Sequence, residues 1–153
     1  MHFQREQIIN LIPELLPLLD KHYLEVAHFQ DIALKPDWDA YRKLDEVNIL
    51  RCFTARDIMG VLIGYSFFFV KTNIHYAESL QAHQDVLFLH PDYRKNHIGS
   101  KFIAWCDERL KEEGVQAVYH HVKQEHNFGP LLERMGYQLV DLIYARRLDK
   151  ESL

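Results

Sequence analysis

Positive charge is not in excess: over 153 residues, 18 Lys and Arg stand against 22 Asp and Glu, a formal charge of −4. That balance lacks the basic footprint of a nucleic-acid-binding chain, and no nucleic-acid partner is expected. Glycine and proline are scarce, six and five residues, which excludes collagen-like and low-complexity chains. No sequence period repeats and no Ser/Gly/Pro-rich linker divides the chain, so one domain over 1–153 is expected. No apolar run approaches the ~18 residues that a membrane-crossing helix needs. The longest, 61–70, contains Gly64 and Ser66 and reads as a buried strand. Residues 1–7 are polar and mixed in charge, without the basic-then-apolar order of a secretion signal, so a cytoplasmic location and no membrane partner are expected. The two cysteines, Cys52 and Cys106, lie far apart inside apolar patterns and read as buried reduced thiols. What the chain does have is 48% apolar residues, too many for a disordered chain, and ten histidines.

Ile8, Ile9, Ile12, Leu15, Leu16, Leu19, Tyr23 and Val26 follow helical spacing over 6–29. Pro13 and Pro17 fall inside that stretch and lack an N–H, so a kinked helix or two helices in series is expected. Asp37 is placed to cap a second helix ending near 46. Strands are expected near 47–55, over 59–70 and over 85–89, the last stopped by His90-Pro91, with a short one at 2–5. Ile98, Phe102, Ile103, Cys106 and Leu110 make one face of a helix over 98–113, followed by Gly114. A strand over 115–122, a short helix over 128–135 closed by Gly136, and a last strand over 138–147 complete the chain. A meander followed by a βαβ unit is an α/β (α+β) fold, with a mixed, mostly antiparallel sheet, helices on both faces and one parallel strand pair.

The segment 85–103 holds the most chemistry. A strand runs into a turn carrying Arg94, Lys95, Asn96 and Gly99 and then straight into a helix. Such a junction aims free backbone N–H groups and the positive end of a helix dipole at one point, an anion site. The spacing is neither Gly-x-x-x-x-Gly-Lys-Ser/Thr nor Gly-x-Gly-x-x-Gly. As bare pattern, an ordinary strand-to-helix turn with solvated basic residues stands equally open.

The same segment, Leu87-Phe-Leu-His-Pro-Asp-Tyr-Arg-Lys-Asn-His-Ile-Gly-Ser-Lys-Phe-Ile, resembles the acetyl-CoA-binding segment of the GNAT superfamily of N-acetyltransferases. Arg94 and Gly99 match its Gln/Arg-x-x-Gly-x-Gly/Ala motif, while His97 stands where the first glycine usually is. Leu131-Leu-Glu-Arg-Met-Gly-Tyr137 resembles the superfamily's late helix ending in Gly-Phe/Tyr. The element order agrees over nearly the whole chain, and the sequence looks most like GNAT-like proteins of bacteriophage and prophage genomes.

The resemblance implies acetyl transfer from acetyl-CoA to an amine, without a metal, with the parallel strand pair splayed. It implies a cofactor site of Phe88, Leu89, Arg94, Lys95, Asn96, His97, Ile98, Gly99, Ser100 and Asn127. The pyrophosphate would rest on the 94–100 backbone, and the pantetheine arm would lie along the splayed strand, with Leu89 as the splay residue. His83 occupies the position where the family often carries a glutamate base. Asp85, two residues on and on the same face of a regular strand, either orients it or acts instead. The family's frequent acid, a tyrosine, is replaced by Leu132, which leaves Tyr144, Tyr119 and His121 as substitutes by strand location. Acceptor selection falls to the first helices and the loop before the central strand: Tyr23, Glu25, Trp38 and Tyr76, with Asp31, His75 and Glu78. Several acids there point to a cationic acceptor, on a small molecule or on a protein lysine or N-terminus.

Two rivals come from other classes. A metal-dependent hydrolase would use His83, Asp85 and the His120-His121 pair, but adjacent strand residues point to opposite faces. A non-catalytic GNAT-fold module that binds CoA or a protein is the second, fed by His97 and Leu132. Pairing of two copies through the last strand makes a homodimer the candidate assembly.

Overall fold

The alternation of β-branched, aromatic and helical-period segments folds in the order expected as far as the helix at 129–134. The structure, a computed structural model, describes residues 1–150. Its elements are β1 (His2–Glu6), α1 (Ile8–Val26), α2 (Trp38–Glu46), β2 (Leu50–Arg56), β3 (Leu62–Thr72), β4 (Leu80–Leu89), a 3-10 turn at Pro91–Tyr93, α3 (Ile98–Glu112), β5 (Ala117–Tyr119) and α4 (Gly129–Arg134). The sheet order is β1-β2-β3-β4-β5, antiparallel except for the parallel β4–β5 pair. This is the mixed α/β architecture expected, with helices on both faces. No helix among the described residues is long and apolar enough to cross a membrane.

Two apolar layers flank the sheet. On one face Ile8, Leu11 and Leu15 of α1, with Trp38, Tyr41 and Leu44 of α2, pack on Leu50, Cys52, Tyr65, Phe67 and Phe88. On the other, Phe102, Cys106 and Leu110 of α3 pack on Phe53, Phe68, Ala82 and Leu89. β3 is buried along most of its length, as a strand paired on both edges must be. Cys52 and Cys106 are free and buried, one in each layer.

α1 is one continuous helix through Pro13 and Pro17. Both prolines lie on its solvent face, where water can satisfy the carbonyls that lose a partner. Asp37 caps α2 as expected, its Oδ1 accepting from the Ala40 N–H at 3.0 Å.

The last strand does not form. Residues 138–147 have no regular structure, and Leu139, Ile143 and Tyr144 are 76, 75 and 89% exposed. The pattern is strand-like, but a strand needs an edge, and β5 is only three residues long, against the eight expected. The tail is instead tied at its far end, where Arg147 donates twice to Asp31 at 2.8 and 2.9 Å. The dimer reading, which assumed an exposed last strand, therefore has no such strand to use.

Candidate active site

β4 changes character at its middle. Gln81, Ala82 and His83 pair with Ala117, Val118 and Tyr119 of β5. Beyond them β5 leaves, and the side chain of buried Gln84 spans the divergence: its Oε1 accepts from the His121 N–H at 3.1 Å and lies 3.2 Å from His120 Nδ1. On the other edge Phe67 faces Val86 and Phe68 faces Gln84, so Asp85 is the extra residue of a β-bulge.

The bulge resets the faces of the strand. Asp85 points to the α2 side, where the Tyr41 hydroxyl donates to its carboxylate. Val86 and Phe88 also pack in the α1/α2 layer, whereas Leu87 and Leu89 pack in the α3 layer. From Asp85 to Leu89 no strand among the described residues pairs with the edge facing β5. The His90 N–H donates to the Ile63 carbonyl at 2.7 Å, so Phe88 and Val86 share that hydrogen-bonded phase. Leu87 and Leu89 fall between, and their N–H groups face the open edge. Phe88, by contrast, has its backbone committed to β3 and its ring against His22 and Arg94. β4 is also held close to β3 there: a Cβ on Gly64 would come within 2.9 Å of the Phe88 carbonyl oxygen.

The turn that follows aims α3 at the same opening. Arg94 Nε donates to the Leu89 carbonyl at 2.7 Å, and its Nη2 donates to Glu25 of α1 at 2.7 Å. Asn96 and His97 both take left-handed backbone, φ 54° and 60°. His97 thus adopts the conformation that glycine reaches freely, and the chain enters α3 along the path a glycine would give. Ile98 N–H bonds back to Lys95, leaving the Gly99 and Ser100 N–H groups at the helix start. A Cβ at Gly99 would touch only Leu89 Cδ2, at 3.9 Å, so the space before the helix end is open. Lys95 is exposed beside it. This fits an anionic diphosphate laid on backbone N–H groups.

The α2 face of β4 gathers the titratable side chains. His83 stacks on Tyr119 with ring centroids 4.6 Å apart, and His121 lies 6.3 Å from it. Burial holds His83 below the ordinary histidine range, helped by His121 and Lys71. Burial pushes Asp85 above the usual carboxylate range, against the lowering effects of the Tyr41 hydrogen bond and of His121. On the opposite face His120 sits among Phe68, Phe128 and Tyr137, and burial drives it down to about 4. His120 and His121 do point to opposite sides, and among the described residues no His, Cys, Asp and Glu side chains gather as a metal set.

A scan against protein families matches the acetyltransferase (GNAT) family over residues 12–137. The chain belongs to the GNAT acetyltransferases. Acetyl transfer with acetyl-CoA as donor is that family's chemistry. No curated protein matches the sequence significantly. Solved structures share the fold at low identity. A ribosomal-protein-alanine N-acetyltransferase from Brucella melitensis biovar Abortus 2308 superposes with TM-score 0.71 at 17% identity, covering 97% of this chain and 100% of that one. A predicted acetyltransferase with acetyl-CoA from Clostridium acetobutylicum gives 0.71 at 12%, covering 96% of each. An aminoglycoside acetyltransferase from an uncultured soil metagenomic sample gives 0.69 at 19%, covering 95% and 96%.

Not every residue singled out in the sequence reaches the GNAT site. Tyr144 is on the exposed tail and bonds to none of the cluster. The Asn127 side-chain oxygen accepts from the N–H of Gly129, the first residue of α4, at 2.8 Å. Glu25 is taken by Arg94, and Asp31 by Arg147 and Lys150. The Tyr23 hydroxyl holds carbonyls of the α1–α2 connector. Trp38 packs on Tyr41 with centroids 6.0 Å apart, and Tyr76 stands exposed against His75. Three groups of this cluster escaped the sequence: Tyr41, Gln84 and the Leu87 N–H. Tyr41 shares the 38–41–44 stripe of α2, where an aromatic reads as core. Gln84 carried one visible signal, a polar residue in the otherwise apolar 80, 82, 84, 86, 88 phase of the strand.

Proposed function

We propose that this chain transfers the acetyl group of acetyl-CoA to a primary amine by direct attack, with both substrates bound together. One arrangement supports the reading: the open edge of β4 carries free N–H groups at Leu87 and Leu89 just beyond a half-buried Asp85 and His83. Acetyl-CoA, when bound, supplies the reactive thioester.

The chain's own groups then have three tasks. Leu87 and Leu89 N–H groups face the side where the thioester carbonyl oxygen gains charge. An amine with a pKa near ~10.4 arrives mostly protonated, so a base must take a proton before or during attack. Asp85, made more basic by burial and held in place by Tyr41, is the acceptor, and neutral His83 relays the proton toward solvent. As the C–N bond forms and the C–S bond breaks, the thiolate takes its proton from solvent, because buried Leu132 supplies none. Gly99, Ser100 and the turn at 94–98 hold the diphosphate. A cytoplasmic setting, where acetyl-CoA is available, follows from the same reading.

The test is acetyl-CoA binding by calorimetry followed by thiol release over a panel of amines and lysate proteins read by mass spectrometry. Turnover on an amine with acetyl-CoA binding is the expected result. Leu132 favours one alternative, a CoA-binding module without catalysis; tight binding with no thiol release on any acceptor establishes it.

A further inference from the structure

The acceptor side of β4 has a polarity that the sequence did not suggest. Two clefts of 310 and 460 Å³ open on the α2 face and meet at Lys71 and His83. The register explains the meeting. Lys71 of β3 stands opposite Gln81 of β4, and Phe69 stands opposite His83, so Lys71 and His83 are diagonal neighbours on one face, about 7 Å apart. Leu44, Ile49 and Phe69 give the second cleft an apolar wall. Thr72, Asn73 and Gln81 give the first a polar one.

Among the described residues, no Asp or Glu lines either cleft. Two of the acids that pointed to a cationic acceptor are neutralised within the chain, Glu25 by Arg94 and Asp31 by Arg147 and Lys150. Along β4 the charges are ordered: the carboxylate of Asp85, then His83, then the ammonium of Lys71 across the strand pair. An acceptor whose amine lies at His83, on the side toward Asp85 just outside the clefts, places whatever it carries a few bonds away against Lys71, with apolar substance on Phe69 and Leu44.

Building on the acetyltransferase reading, we propose that the acceptor is an amine bearing a carboxylate, an amino-acid-like molecule, and that Lys71 is the residue that selects the carboxylate. A polyamine or aminoglycoside has nothing acidic to meet in these clefts. Its second cation would face Lys71 instead, which costs affinity.

The experiment compares amines that differ only by the carboxylate: phenylalanine against phenethylamine, and lysine against cadaverine. Each is assayed for acetyl-CoA-dependent thiol release, and each is titrated by calorimetry into the protein saturated with CoA. The carboxylated member of each pair is expected to have at least a tenfold higher kcat/KM and a measurable affinity that its partner lacks. Lys71→Met should raise KM for the carboxylated amines about tenfold with little change in kcat. Lys71→Glu should reverse the preference within each pair. Lys71 is exposed at the end of β3, so both variants are expected to keep the wild-type circular-dichroism spectrum and melting curve. Equal use of both members, preference for the decarboxylated one, or a Lys71→Glu protein with unchanged preference overturns the proposal. If no amine is turned over, the transfer reading fails while the titration still decides the carboxylate: binding of phenylalanine but not phenethylamine, lost in Lys71→Glu, upholds it, and no difference removes it.

Discussion

Residues 81–83 of β4 are held by β3 on one side and β5 on the other, whereas residues 85–89 keep β3 alone. The first half satisfies its backbone within the sheet and is buried or nearly so. The second half leaves N–H groups of Leu87 and Leu89 without a strand to receive them, which is costly for a buried edge and useful for one that receives a ligand. The change occurs over two residues. Gln84 substitutes a side-chain carbonyl for the missing strand acceptor, and Asp85 takes up the bulge that turns a carboxylate toward α2. One strand thus has a half paired on both edges and a half open on one, and the junction carries the Asp85 carboxylate.

Abolishing the difference at its ligand end should have the largest effect. Gly99→Trp puts an indole in the open space before α3, where a Cβ meets only Leu89 Cδ2. Acetyl-CoA affinity should fall more than about 100-fold, a loss of about 2.7 kcal/mol, with the melting curve unchanged. Calorimetry decides it; unaltered affinity would move the donor site away from the open half of β4.

The next largest effect belongs to the bulge. Asp85→Asn keeps the shape and the Tyr41 contact but removes the base, and kcat should fall about 10²-fold at unchanged acetyl-CoA affinity. Because Asp85 must be ionised to act and burial raises its pKa, wild-type activity should rise with pH through a range above that of a free carboxylate. The variant's profile should lose that limb. A variant with normal turnover takes Asp85 out of the mechanism.

Gln84→Leu probes the junction from the β5 side. It leaves the His121 N–H without its part-buried acceptor, and stability should drop by about 1 kcal/mol in urea unfolding. Turnover should fall only about tenfold, since His121 and Tyr119 shift against His83 but Asp85 stays. If kcat falls further than in Asp85→Asn, the splay itself, rather than the base, limits the reaction.

Gly99 and Asp85 could be singled out in the sequence, whereas the bulge at Asp85 and the bridge made by Gln84 could not, for identifiable reasons. The turn after β4 is punctuated by Pro91 and Gly99 and followed by a helical-period stripe, so local chemistry fixed it. His83 and Asp85 were placed on one face by the period of two, and they are, but the same rule would have put Leu87 and Leu89 there as well. A bulge adds one residue to one strand and leaves no mark in either strand alone. The Tyr41–Asp85 bond joins residues 44 apart, and only tertiary packing brings α2 over β4. The tail at 138–147 failed in the opposite sense. Its apolar pattern is that of a strand, but pairing depends on β5, which ends at Tyr119.

The smallest effect separates the two halves through the histidines beneath them. His22 lies under the open half, its Nδ1 2.9 Å from the Tyr65 hydroxyl and its ring on Phe88. His120 lies under the junction, against Gln84. Burial lowers both to about 4 from an ordinary 6.5. Between those values the unfolded chain takes up protons that the folded chain refuses, so stability falls as pH drops from 6.5 toward 4, by at most about 1.4 kcal/mol per pH unit for each histidine. Urea unfolding at pH 7.0, 6.0 and 5.0 (values chosen to be about a unit apart across that window) measures the slope. His22→Gln and His120→Gln should each remove about half of it. An unchanged slope in His22→Gln alone would mean that the open half admits water to its histidine, and that the apolar support of the splayed edge comes from the α3 side, through Leu87 and Leu89.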